Sequence, residues 1–204
     1  MWRRGAEFSI RIAGAELMNS RAHGSEDALA ELTCSRLRRK LARRLLIGGL
    51  GMGFTLAAAL EQSGPDAMVT VSELIPAVVG WNREHLGHIA GRPLQDPRVS
   101  VAEEDVGHTI RKNKSFWDAI LLDVDNGPAG LTRKANDRLY DRSGLDAAYC
   151  ALRPGGILAV WSSGADSAFT RRLKQSGFKP DTVTVRARKP GQGARHTIWL
   201  AAKH

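Results

Sequence analysis

The spacing of apolar positions in this chain changes period repeatedly. Near the N-terminus, Glu7 to Ile12 and Glu16 to Met18 alternate about a turn at Gly14, which predicts a short β-hairpin. Ser25, with Glu26 and Asp27 after it, has the composition of an N-cap and first turn. Leu29, Leu32, Leu37 and Leu41 then repeat at helical spacing toward Arg43. The pattern next shortens to the apolar strand Leu45-Leu46-Ile47, which runs into glycines and then a helix from Phe54 to Gln62.

The alternation continues with a strand at Met68 to Val71, a helix at Ala77 to Ala90 opened by Pro76, and strands at Val99 to Val101 and Ala119 to Leu122. A helix from Arg142 to Leu152 stops at the turn Pro154-Gly155-Gly156. A strand from Ile157 to Trp161 and a helix from Asp166 to Gln175 follow. The last two strands, near Thr182 to Arg186 and Thr197 to Ala201, flank Pro190-Gly191-Gln192-Gly193 and read as an antiparallel hairpin. Apolar strands alternating with helices predict a mostly parallel sheet covered on both faces, with right-handed crossovers. The closing hairpin separates this α/β pattern from the all-parallel dinucleotide dehydrogenase. It points to the Rossmann-like core of AdoMet-dependent transferases, a seven-stranded sheet here preceded by the short N-terminal hairpin. The expected division is residues 1–24 as a hairpin extension and 25–204 as the AdoMet-binding domain.

A length of 204 residues with 43% apolar content suits one such core. Cys34 and Cys150 lie far apart, without metal or redox spacing, and read as packing residues. Charges at Glu7, Arg11 and Glu16 interrupt any signal-peptide pattern, and the run Leu45 to Leu60 is too short and glycine-rich for a membrane span. A cytoplasmic protein that does not meet the membrane is expected. The net charge of +9 suits an anionic partner and leaves nucleic acid open. Yet Arg36, Arg38, Arg39, Lys40, Arg43 and Arg44 crowd the end of one predicted helix, where a solvated face is the favoured explanation.

In an open parallel sheet the chemistry gathers at the carboxyl ends of the strands. There the first core strand meets Gly48-Gly49-Leu50-Gly51-Met52-Gly53, which presents backbone amides at a helix N-terminus. Phe54 stands where the dinucleotide fingerprint needs its third glycine, so that reading loses ground. Gly49, Gly51 and Gly53 are candidate cofactor contacts, although tight strand-to-helix packing uses the same residues. Glu73 ends the second core strand, where a carboxylate accepts from both hydroxyls of a ribose. Glu103-Glu104-Asp105 ends the third; Asp105 is the candidate for an adenine amino group, with an N-cap as its alternative. The fourth ends in Asp123-Val124-Asp125-Asn126-Gly127-Pro128, which leads into a polar, lid-like stretch to Asp137. Asp123 is placed to take a proton from an amine or to hold a cation, or else to cap the loop.

These residues together resemble the spermidine/spermine synthase family of polyamine aminopropyltransferases from about Glu7 to Ser163. The resemblance rests on the N-terminal hairpin with the segment Leu17 to Glu26, and on Ser72-Glu73-Leu74, Asp96-Pro97-Arg98-Val99, Asp118-Ala119-Ile120 with Asp123, and Leu152-Arg153-Pro154-Gly155-Gly156, in that order. It implies decarboxylated S-adenosylmethionine as aminopropyl donor, a small amine as acceptor, methylthioadenosine as leaving group and no metal. By it, Glu73 holds the ribose, Asp105 the adenine, and Asp123 is the base, with His23, Glu26 and Asp125 toward the acceptor. Homodimers are usual in that family. Two positions depart from it: Met52 replaces the aspartate of the glycine loop, and Asp123 to Pro128 alters the family's Asp-Ser-x-Asp-Pro motif. The first departure suits an AdoMet-dependent methyltransferase on the same cradle. A non-catalytic protein that binds through its basic face is the reading from outside enzymology, and strong salt dependence would mark it.

Overall fold

The computed structural model describes residues 1–12, 15–37, 43–124, 127–128, 137–188 and 192–204. An antiparallel sheet of three strands comes first: β1 (Trp2–Arg4), β2 (Glu7–Ile12) and β3 (Ala15–Asn19). The expected hairpin therefore gains a strand, because Gly5 at φ +61° turns Trp2–Arg4 back onto Phe8 and Ser9.

The main sheet has seven strands: β4 (Arg44–Gly48), β5 (Met68–Ser72), β6 (Val99–Ala102), β7 (Trp117–Leu122), β8 (Leu152–Ser162), β9 (Lys179–Arg188) and β10 (Gln192–Ala202). Their order is β6-β5-β4-β7-β8-β10-β9; β6 to β8 run parallel, and β10 enters antiparallel between β8 and β9. Chain order reverses between β4 and β7, which opens a crevice beyond their carboxyl ends.

Side chains of the central strands alternate between two buried layers. Leu45, Ile47, Ala119 and Leu121 pack against α1 (Gly24–Arg36) and α2 (Phe54–Glu61). Leu46, Ile120 and Leu122 pack with Leu145, Ala148, Phe169 and Leu173 on the other face. That face is covered by α4 (Val106–Arg111), the short α5 (Asp137–Tyr140), α6 (Arg142–Ala151) and α7 (Ser167–Gln175), with α3 (Pro76–Trp81) on the other layer. Each fully buried Leu or Ile contributes about 1.5–3 kcal/mol by leaving water, which is why these strands read as unbroken apolar runs.

Two of the resemblance segments are structural struts at the opposite end of the sheet. Arg98 is paired with Asp96 and donates to the carbonyls of Leu60, Ser63 and Gly64, closing the end of α2. Asp118 accepts from Arg153 and from the Arg44 amide, tying β4, β7 and β8 together.

Several local expectations are corrected. Helix α1 ends at Arg36, where Leu37 takes an extended backbone, and does not reach Arg43. Arg43 is buried and donates to the Gln62 carbonyl, and Arg44 opens β4 with its guanidinium over Phe116. These two cations are therefore packed, not part of a solvated helix end; Arg38, Arg39, Lys40 and Leu41 lie outside the described residues. The helix after Pro76 is α-helical to Trp81, then a π turn (Asn82–Leu86) and a 3₁₀ turn (Gly87–Ala90). Gly155 and Gly156 form a bend within β8, pairing with Lys203, and do not precede the strand. Cys34 is buried as expected, but Cys150 is exposed. Among the described residues no helix is long and apolar enough to cross a membrane.

Candidate active site

A cavity of about 910 Å³ lies over the carboxyl ends of β4, β5, β6 and β7, within the size range of small-molecule sites. Gly49, Gly51, Glu73, Asp105, Asp123 and Glu26 all line it. The N-terminal sheet roofs it through Ile10 and Met18, and the C-terminal strands close the far side with Trp161, Arg188 and His196.

The floor is built from backbone. Gly49 and Gly51 have φ of +89° and +52°. A side chain at Gly49 would overlap the Asp123 carbonyl, and one at Gly51 would come within 2.7 Å of Met18 Sδ. Only glycine allows both the turn and the close approach. Glu73 is 8% exposed, and its two oxygens accept the Leu50 amide at 2.9 Å and the Ile75 amide at 2.8 Å. The carboxylate thus braces the glycine loop from the end of β5 and keeps lone pairs for a ligand. Gly53 starts α2 at φ +86° but packs toward Pro93 and Asn82, away from the cavity. Asp105 lines the cavity while its side chain caps α4 through the His108 amide, so the ligand and N-cap readings meet in one residue.

The other wall carries two close carboxylates. Asp123, half-buried, accepts from Thr55 Oγ1 at 2.6 Å, and burial raises its pKa from 3.8 to about 6. Glu26, from the first turn of α1, is pushed up from 4.5 to about 7, first by burial and next by the Asp123 charge, with the Ser25 hydroxyl opposing. Ser25 was expected to be the N-cap. It lies instead inside the helix, fully buried, its hydroxyl donating to Glu26 Oε2 at 2.6 Å and meeting His196 Nδ1 at 2.8 Å. A side chain so engaged is not available to cap, and His23 takes the cap position without a side-chain bond.

His23 itself does not line the cavity: it stacks on Phe54 at 4.1 Å and pairs with Asp27 at 3.0 Å, supporting α1 from behind. Asp125 lies outside the described residues, as do residues 129–136 of the expected lid. Met52 is fully buried with Phe8, Ile10, Phe54 and Leu86, so the position that carries an acid in the resembled family here glues the N-terminal sheet to the glycine loop. Sequence reasoning missed Thr55, Trp161, Ser25 and His196. Trp161 holds an indole N–H that is buried without a hydrogen-bond partner among the described residues.

This geometry defines a class: a methyltransferase-like α/β fold with a candidate small-molecule site at its topological switch point. No family model matches the chain. Over 120 residues, 57% of the chain, it is 34% identical to polyamine aminopropyltransferase 2 of Pseudomonas aeruginosa, covering 32% of that protein. It is 31% identical over 122 residues to the polyamine aminopropyltransferase of Mycobacterium tuberculosis, covering 22% of it. Putrescine N-methyltransferase 2 of Nicotiana attenuata is 29% identical over 119 residues, 58% of the chain and 30% of that protein. The matched stretch thus spans about a third or less of these relatives. Among solved structures, spermidine synthase from Thermotoga maritima superposes with a TM-score of 0.74 at 19% identity, over 94% of this chain and 64% of that one. Human methyltransferase-like protein 13 does so at 0.67 and 19%, over 89% and 82%. The chain therefore has the methyltransferase-like fold and resembles the polyamine aminopropyltransferases.

Proposed function

We propose that the chain is a transferase that moves an aminopropyl group from decarboxylated AdoMet to a small amine. The observation that carries this reading is the pairing, in one cavity, of a glycine-and-Glu73 cradle with two facing carboxylates of raised proton affinity. The cradle suits an adenosine: Gly49 and Gly51 admit close approach of the ligand, Glu73 offers acceptors to the ribose, and Asp105 offers one to the adenine. Asp123 and Glu26 suit the amine, which arrives as an ammonium ion and must lose a proton to become a nucleophile. The donor supplies a carbon bound to a sulfonium. As the amine nitrogen bonds to that carbon, the carbon–sulfur bond breaks, its electron pair stays on sulfur, and neutral methylthioadenosine leaves. The amine proton goes to a carboxylate; Asp123 is assigned that role, and the protein otherwise aligns the two partners. Residues 1–24 act as a roof on the domain formed by 25–204. The small-molecule reaction suits a cytoplasmic setting.

One observation favours a second reading, methyl transfer from AdoMet. Met52 leaves the glycine loop without an acid, and putrescine N-methyltransferases are among the relatives.

Calorimetric titration with decarboxylated AdoMet, AdoMet and methylthioadenosine, followed by turnover assays with putrescine, tests both. Preference for the decarboxylated donor is expected, with Asp123→Asn lowering kcat about 10²- to 10⁴-fold at unchanged methylthioadenosine affinity. Preference for AdoMet selects methyl transfer, and binding of none of the three ends the enzyme reading.

A further inference from the structure

The C-terminal hairpin reaches into the acceptor wall. His196 stands on β10 opposite Val185 of β9, its ring edge-on to Trp161 at 4.7 Å. Its Nδ1 meets the hydroxyl of Ser25, 171 residues away in sequence. Where α1 begins, a methyl group on Gly24 would come within 3.3 Å of the Ala187 and Arg186 carbonyls, so the helix start abuts β9. The first turn of α1 is therefore held directly against the closing hairpin.

The hydrogen positions follow by counting donors. A serine hydroxyl has one hydrogen, and here it points to Glu26 Oε2 at 2.6 Å. With Glu26 ionised, the 2.8 Å contact with His196 is donated by the imidazole, which in the neutral ring selects the Nδ1–H tautomer and leaves Nε2 bare. The chain runs in one direction, from imidazole N–H to serine O–H to carboxylate. Burial lowers the pKa of His196 and so favours the neutral ring.

We propose that Ser25 and His196 are positioning residues that present Glu26 to the acceptor amine, making the closing hairpin part of the active site. The inference rests on the proposed amine-transfer reading and extends it. Glu26 faces Asp123 from β7, has His23 and Asp27 on its own helix, and shares the cavity with His196 and Arg188 from the hairpin. Among the described residues the Ser25 hydroxyl is the group hydrogen-bonded to Glu26 Oε2, so it sets which oxygen turns to the amine. It also opposes the burial and repulsion that favour the protonated form.

The test reads Glu26 directly. Carboxyl carbons of glutamate are labelled with ¹³C, the Glu26 signal is assigned by its loss in Glu26→Gln, and its titration is followed without substrate. Ser25→Ala should raise the midpoint by about one pH unit, and His196→Ala should raise it by less. Ser25→Thr and His196→Asn keep a donor and should restore it. Methylthioadenosine affinity should stay the same throughout. In turnover with putrescine, the acid limb of kcat should move upward with the midpoint. An unmoved midpoint in folded Ser25→Ala overturns the proposal; if that variant does not fold, an unmoved midpoint in His196→Ala does so. A moved midpoint with no turnover of any amine leaves the positioning chain standing and removes the transfer reading instead.

Discussion

Glu73 and Glu26 are equally hidden, each 8% exposed on the wall of one cavity, but they are built differently. Glu73 has a backbone N–H on each oxygen, both from the loops that follow β4 and β5. Glu26 has the Ser25 hydroxyl, its own backbone N–H and, across the cavity, the charge of Asp123. Peptide amides cannot move away or lose their protons, so Glu73 is a fixed acceptor suited to a ribose. A carboxylate opposed by another carboxylate holds a proton readily, which suits the end of the site where a proton must change hands. On the proposed reading, one cavity separates ribose binding from proton transfer by the donors and the neighbouring charge it gives each acid.

The comparison breaks most sharply at the loop that Glu73 braces. Gly49→Ala forces a left-handed backbone on a residue with a side chain and drives its methyl into the Asp123 carbonyl. It should cost about 2–5 kcal/mol of stability, read as a lowered denaturation midpoint, and should abolish methylthioadenosine binding. Full stability in that variant would falsify the tight contact between the loop and β7. Next in size is Glu73→Gln, which sets an amide NH₂ against a backbone N–H. Loss of a charged hydrogen bond is worth about 1.5–3 kcal/mol, so methylthioadenosine should bind about 10- to 100-fold more weakly. Glu26→Gln should leave that affinity unchanged. Equal losses in the two variants would mean that the cavity is not divided as described.

The division also explains what could be read from the sequence. The cradle is local: apolar strand, glycines and helix are contiguous at Leu45 to Gln62, and Glu73 ends the very next strand, so period and spacing were sufficient. The parallel sheet and the closing hairpin were legible for the same reason, as each strand carries its own apolar run. The acceptor wall is not local. It joins Ser25 and Glu26 to Asp123 and to Trp161 and His196, and nothing in the neighbourhood of His196 marks it as a partner of residue 25. The N-cap signature at Ser25 misled because capping and the Glu26 bond compete for one hydroxyl. The run from Arg36 to Arg44 misled in a related way: Arg43 and Arg44 have aliphatic stems and planar heads that pack well, a role charge counting does not see.

The smallest expected effect is on stability, and its sign distinguishes the two acids most directly. Folding raises the Glu26 pKa from 4.5 to about 7, so between those values the native state binds more protons than the unfolded chain. Stability then falls as pH rises through that window, and above about pH 7 the full cost of an ionised, buried Glu26 is present. Glu26→Gln has no charge to bury. Its stability relative to the parent should be lowest near pH 4.5, rise toward pH 7 and level off, with a total gain on the order of 1 kcal/mol once solvent and structural relaxation reduce the roughly 3 kcal/mol of the full shift. Asp123, raised to about 6, contributes a slope of the same sign in both proteins, so the difference isolates Glu26 and its repulsion with Asp123. Chemical denaturation at pH 5, 6, 7 and 8 measures it. A difference that shrinks with rising pH would mean that Glu26 is better solvated as a carboxylate in the fold than in the open chain. The proton-holding role would then belong to Asp123 alone.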